Sequence, residues 1–205
     1  MIANTTNLKK SPVFFIPNII DYIRILLLIS ALCVFSIRPW IAVWLFLTNS
    51  VLDGLDGALA RKLNQQSKLG ALLDFSIDRA SITMILGGCI WMYPRFFLYF
   101  IAVMMMDIAS HFAVCYATAF NSGAHLDFVS RGSKLLFWFS KKNWLRYIIC
   151  SSHDGFFGFL FGYFLLPSPL WFIPLALYTP GMLLKTWIHL EQFYLAAKFS
   201  ASLSP

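Results

Sequence analysis

Four aspartates, Asp53, Asp56, Asp74 and Asp78, fall within 26 residues of a 205-residue chain that has only nine acidic side chains in all. Carboxylates bind hard cations and accept protons, and helical spacing gathers these four. At about 100° per residue, Asp53, Asp56, Gly57 and Ala60 share one helix face, and Gly70, Asp74 and Asp78 recur at i, i+4 and i+8 on the next. The polar run "KLNQQSK" between the two reads as a tight turn. The helices are then antiparallel neighbours with all four carboxylates at similar depth. Four like charges repel one another, and a divalent cation relieves that repulsion. Oxygen-only ligands favour Mg²⁺ or Mn²⁺, and four carboxylates suffice for two ions of the kind that assist phosphoryl transfer. Gly57 and Ala60 let a phosphorylated ligand approach the backbone. Arg61 can clamp a diphosphate. Ser67 is spaced to cap the helix of Asp74 and Asp78, whose N-terminus is itself suited to anions.

The surrounding chain must place these groups in lipid. It is 59% hydrophobic and 12% charged, with a mean hydropathy of +0.71, whereas soluble domains carry roughly 25% charged residues. A spanning helix needs about 20 apolar residues. Six stretches qualify, at about Ile19 to Pro39, Trp40 to Leu63, Gly70 to Tyr93, Arg95 to Ala119, Arg146 to Leu166 and Leu170 to Ala197. The apolar runs are too long and too rich in Leu, Met and Phe for a barrel wall. The expected fold is therefore all-α, a single domain over 1–205 with six transmembrane helices. The N-terminus lacks the order of a cleaved signal peptide, so the first span is expected to be retained.

Orientation follows from the basic residues, which collect on cytoplasmic flanks. Lys9, Lys10, Arg61, Lys62, Lys68, Arg131, Lys134, Lys141, Lys142, Arg146 and Lys198 all fall on one side of a six-helix path, and Arg38 and Arg95 on the other. Both termini, the Asp-rich stretch and the 121–145 loop are thus expected in the cytosol. The Asn4-Thr5-Thr6 acceptor pattern would then lie on the face where no glycan is added. Trp40, Trp91, Tyr93 and Trp171 stand near the far ends, as an aromatic belt would. The net charge of +7 suits anionic lipid headgroups. The basic residues are scattered over loops, which excludes a nucleic-acid stripe. Cys33, Cys89, Cys115 and Cys150 lie singly in separate helices, so neither a disulfide nor a zinc site is expected.

The pattern Asp53-x-x-Asp56-Gly57-x-x-Ala60-Arg61, eight residues, then Gly70-x-x-x-Asp74-x-x-x-Asp78 resembles the complete signature of the CDP-alcohol phosphotransferase family. The resemblance implies a six-helix membrane fold, often dimeric, in which an acceptor hydroxyl displaces CMP. It implies metal binding by Asp53, Asp56, Asp74 and Asp78, and proton acceptance by Asp78. It also implies contact of Asp56, Gly57, Ala60, Arg61, Ser67 and Gly70 with the CDP-linked substrate. Further segments, "FFIPNIIDYIRILL", "NQQSKLGALLD" and "MMDIASH", are similar to those of the phosphatidylinositol synthases, a eukaryotic branch of that family. That similarity implies CDP-diacylglycerol and myo-inositol as substrates, phosphatidylinositol and CMP as products, and an endoplasmic reticulum enzyme facing the cytosol. The segment "YIICSSHDGFF" departs from the branch at Ser152, His153 and Asp154, which bears on the acceptor.

A polyol acceptor needs convergent donors and acceptors. Asp107, Ser110 and His111 share a helical face, and Lys185 lies well inside the last span, so these four are the candidates. Polar contacts between helices are the alternative. His125, His153 and His189 are read as satisfying local hydrogen bonds, and Gly155, Gly158 and Gly162 as a smooth packing face with a dimer contact second. No Ser, Cys or His is placed beside a base as a nucleophile, which favours sequential displacement. Glycerol 3-phosphate or serine as acceptor is the nearest alternative. A cation transporter is the more distant one, and Gly57, Ala60 and Arg61 have no place in it.

Overall fold

The structure is a computed structural model and describes residues 11–121 and 125–203, with the side chains of 121, 125 and 126 left aside. The Asn4-Thr5-Thr6 pattern lies outside the described residues, as does the side chain of His125. All regular structure among the described residues is helical. The long helices are α1 (Ile16–Phe35), α2 (Pro39–Lys62), α3 (Lys68–Met92) and α4 (Phe97–Asn121). Two short helices, α5 (His125–Val129) and α6 (Lys134–Lys141), precede α7 (Asn143–Leu165) and α8 (Phe172–Ala201).

The six expected segments fall on six of these helices, with shifted ends. The first stops at Phe35 because Pro39 opens α2, and the residue before a proline is pushed out of helical geometry. Arg38 accordingly has φ −139° and ψ 68°. Pro94 and Pro169 similarly open short 3₁₀ turns, Pro94–Phe96 and Pro169–Trp171, ahead of α4 and α8. The 121–145 segment is not simply a loop. Ser133 caps α6 by accepting a hydrogen bond from Leu136 N, and α6 buries Leu136 and Phe139 while exposing Phe137 and Trp138.

Among the described residues, three helices are long and apolar enough to cross a membrane: Ile16–Phe35, Pro94–Phe120 and Asn143–Leu165. Helices α2, α3 and α8 are of similar length, and their acidic and basic residues dilute their hydropathy. Burial supports a lipid environment for the whole. Leu98, Leu177, Phe112 and Ile173 are largely exposed, whereas Arg24, Asp107, His153 and His189 are buried. Water-soluble packing has the opposite sense, and intramembrane ionisable groups turn inward.

The chain divides into two compact units, residues 1–81 and 82–205. In the first, α1 packs along α2, the turn before α3 is tied to α1, and the middle of α3 is tied to α2. Ile16 N donates to Gln65 Oε1 at 2.9 Å, and Asn49 Nδ2 donates to Ser81 Oγ at 3.1 Å. The turn from α2 to α3 has a defined geometry. Asn64 takes a left-handed conformation with φ 53°, Gln65 N donates to Ala60 O, and Asn64 N donates to Arg61 O. This pair of bonds closes the helix end around an Asn that tolerates the conformation. In the second unit, α8 packs against α4 and α7 over a core that includes Val114, Phe128, Leu136, Ile149 and Ile188. An added Cβ at Gly155 would strike Tyr178, and one at Gly162 would meet Trp171. Both glycines therefore serve packing against aromatic rings.

Candidate active site

Helix α1 supplies a cation to the aspartate cluster. Arg24 is fully buried, and its guanidinium reaches carboxylates from three helices. Nη1 donates to Asp56 Oδ2 at 2.7 Å, Asp74 Oδ1 at 3.2 Å and Asp21 Oδ1 at 3.3 Å. Nη2 donates to Asp53 Oδ1 and to Asp78 Oδ1, the latter at 3.2 Å. The planar fork of arginine suits this arrangement, because its donors diverge in fixed directions. All four expected carboxylates meet, and Asp21 joins them as a fifth.

Burial divides the cluster into a floor and an open rim. The side chains of Asp21 and Asp56 are 3% and 6% exposed, while those of Asp53, Asp74 and Asp78 are 43%, 50% and 42% exposed. Carboxylate oxygens of Asp53, Asp74 and Asp78 lie within 4.8 Å of one another, and so do those of Asp21, Asp56 and Asp74. Asp74 belongs to both trios. With every group ionised, the five carboxylates and Arg24 sum to −5 + 1 = −4, which two divalent ions would balance. The all-oxygen donor set and the excess negative charge therefore fit Mg²⁺ or Mn²⁺.

The groups assigned to the CDP part line the adjoining turn. An added Cβ on Gly57 would lie 3.5 Å from Arg61 Nη1, so the guanidinium folds back over the glycine one turn earlier. Ala60 is half-buried on the same helix. Ser67 Oγ accepts from Gly70 N at 2.9 Å, capping α3 as the spacing predicts, and from Asn18 Nδ2 at 3.4 Å. Gly70 is required for close approach, since an added Cβ would fall 2.6 Å from Asn18 Oδ1. The first turn of α3 is thereby seated against α1.

The acceptor candidates lie in the second unit. Asp107, Ser110, His111 and Lys185 are all buried. Ser110 Oγ donates to Asp107 O at 3.0 Å, and His111 Nδ1 lies 2.8 Å from the same carbonyl. Lys185 Nζ stands 4.8 Å from the centroid of the Phe139 ring.

Asn18, Asp21 and Arg24 were not singled out from the sequence. The signal was present in "PNIIDYIR", where three polar residues recur at i, i+3 and i+6 on an otherwise apolar helix. Such a stripe in a membrane segment marks a functional face.

A family model described as CDP-alcohol phosphatidyltransferase matches residues 14–138, well over half the chain, and covers every carboxylate of the cluster. The chain belongs to the CDP-alcohol phosphatidyltransferase family. It is accordingly a transferase. Among curated relatives, a CDP-diacylglycerol–inositol 3-phosphatidyltransferase of Saccharomyces cerevisiae is 32% identical over 165 residues, 78% of this chain and 75% of that protein. A rat protein of the same name is 29% identical over 196 residues, 92% of each chain. An Arabidopsis thaliana protein of that name with the suffix 1 is 40% identical over 111 residues, 54% of this chain and 48% of that protein. No solved structure matches the chain.

Proposed function

We propose that this protein transfers the phosphatidyl group of CDP-diacylglycerol to myo-inositol, giving phosphatidylinositol and CMP. The observation that carries the proposal is the convergence of all four signature carboxylates within reach of shared cations. The names of the relatives supply the donor and the acceptor.

In this reading Asp53, Asp56, Asp74 and Asp78, with Asp21 behind them, hold two Mg²⁺ or Mn²⁺ ions. The bound ions would offset the diphosphate charge and stabilise the departing CMP. The chain's own residues do the rest. Arg24 fixes the five carboxylates in one arrangement before substrate arrives, which lowers the cost of ordering them. Arg61 and the bare face at Gly57 and Ala60 seat the CDP part, and Ser67 and Gly70 keep the first turn of α3 in place beside it. Asp78, on the open rim, accepts the proton of the inositol hydroxyl. The new bond runs from that oxygen to the lipid-side phosphorus, and the bond from phosphorus to the CMP oxygen breaks. A sequential displacement of this kind needs no covalent enzyme intermediate.

The same proposal includes six spans in one functional domain, supported by the run of the family match across residue 81. It also places both termini and the carboxylates on the cytosolic side of the endoplasmic reticulum, supported by the distribution of Lys and Arg. A homodimer is part of the proposal on family resemblance alone. An acceptor role for Asp107, Ser110, His111 and Lys185 is part of the proposal, supported by the approach of Ser110 and His111 to Asp107. A transporter would have to move cations past the buried guanidinium of Arg24, which would repel them.

The test is CMP release from CDP-diacylglycerol by purified protein with one acceptor at a time. Inositol should support release, and serine or glycerol 3-phosphate should not. Release with serine or glycerol 3-phosphate alone would keep the family and change the acceptor.

A further inference from the structure

A second cluster of metal-ligating side chains lies within the 82–205 unit, and its donors differ from those of the aspartate site. Asp107 and His111 on α4 and His189 on α8 each offer a ligand atom, and these atoms all lie within 4.8 Å of one another. All three residues are buried. Asp107 Oδ1 is 3.4 Å from His189 Nε2 and 3.6 Å from His111 Nδ1. Charge-assisted N–H···O bonds close to about 2.7–2.9 Å, and the Asp107–His189 separation exceeds that, while His111 Nδ1 approaches the Asp107 carbonyl more closely than its carboxylate. The edges of a tetrahedron with metal–ligand bonds of about 2.0–2.1 Å measure about 3.3–3.5 Å, which the Asp107–His189 separation matches.

The ring nitrogens are prepared in the way metal ligands usually are. A ligating His holds one nitrogen by a hydrogen bond to an oxygen and presents the other to the metal. His111 Nδ1 lies 2.8 Å from the carbonyl of Asp107, a bond that orients the ring and makes Nε2 the ligand atom in this arrangement. His153 on α7 repeats the arrangement. Its Nδ1 is held by Asp154 Oδ1 at 2.9 Å, while its Nε2 is buried and has no hydrogen-bond partner among the described residues. The His153 ring centroid lies 5.7 Å from that of His189, and the His111 centroid 5.2 Å from it. Gln192, one turn beyond His189, also buries an Oε1 without a partner among the described residues.

We propose that Asp107, His111 and His189 bind a transition metal ion of the zinc class, with His153 as the fourth ligand, and that this ion pins α4, α7 and α8 together. Two or three imidazoles with one carboxylate suit zinc, whereas the all-carboxylate cluster suits Mg²⁺. The two sites therefore take different ions. This site departs from the expectation, drawn from isolated cysteines, that the chain binds no zinc. Asp107 and His111 would hold this ion in place of an acceptor role, and inositol as the acceptor is tested separately.

The test uses untagged full-length protein, purified in detergent after growth with zinc and dialysed against excess Mg²⁺. Elemental analysis should find a single zinc ion per chain, and Co²⁺ exchanged into the site should give the visible absorption of a four-coordinate ion. His189→Gln and Asp107→Asn should each lose that zinc, while the double variant Asp53→Asn, Asp74→Asn should keep it. Wild-type protein without zinc at saturating supply would overturn the proposal whatever the variants do. So would zinc kept by His189→Gln and lost from the Asp53, Asp74 double variant.

Discussion

Removing the guanidinium of Arg24 tests how the aspartate site is held together. Arg24→Met keeps the length and apolar stem of the side chain but leaves five carboxylates facing one another. The cost can be apportioned from burial. Asp21 and Asp56 are almost fully enclosed, and breaking a buried pair by deleting one partner costs about 3–5 kcal/mol. Asp53, Asp74 and Asp78 are between 42% and 50% exposed, so water screens them, and each adds about 0–1 kcal/mol at most. The expected loss in chelator is therefore about 3–8 kcal/mol, most of it from the two enclosed contacts.

Divalent cations should return part of that loss. The variant site has a formal charge of −5 where the native one has −4, so it should bind Mg²⁺ more tightly. Ligand at 100 times its Kd stabilises by about 2.7 kcal/mol. Thermal unfolding of purified protein in detergent, with chelator and then with a Mg²⁺ series, reads both effects. The midpoint of the variant should fall well below that of the wild type in chelator, and the gap should narrow as Mg²⁺ rises. Equal midpoints in chelator, or a gap that Mg²⁺ leaves unchanged, would refute the idea that Arg24 neutralises a cation-binding cluster.

Other expectations concern single positions. Asp78→Asn keeps the shape and removes the base, so turnover should fall at least about 10²-fold, measured as CMP release, while near-normal turnover would move the base elsewhere. Gly57→Ala meets only ordinary contacts with Arg61, so thermal stability should hold while KM for CDP-diacylglycerol rises, and an unchanged KM would return Gly57 to a packing role. Gly70→Ala forces its Cβ against Asn18 and should lower the unfolding midpoint in addition to activity. In the α5–α6 segment, the Lys141 ammonium bonds Asp127 at 2.9 Å and holds its carboxyl below the usual carboxylate range. That contact favours the folded state at neutral pH, and the benefit is lost as pH falls through the lowered value. Lys141→Met should move the Asp127 titration up toward the ordinary value, as read by carboxylate NMR.

The sequence makes one part of the site visible because its chemistry is periodic. Asp53, Asp56, Gly57 and Ala60 fall on one helix face, Asp74 and Asp78 on another, and a polar turn joins them. Local rules also place the Ser67 cap and the proline-led helix starts. Arg24 and Asp21 escape the same reading because they are distant in sequence and lie on a helix whose other residues look like lipid-facing filler. Only packing of α1 on α2 shows that their stripe faces the carboxylates. His153 and His189 are similarly isolated in sequence, and their relation to Asp107 depends on how α4, α7 and α8 meet.

Metal-dependent transfer to inositol is the central proposal. Its most direct measurement is CMP release by the purified protein from CDP-diacylglycerol and inositol, first in excess chelator and then with Mg²⁺ or Mn²⁺ restored. The account predicts no release in chelator, recovery with either ion, and no release when inositol is omitted. Undiminished release in chelator, or recovery of release without inositol, would contradict it.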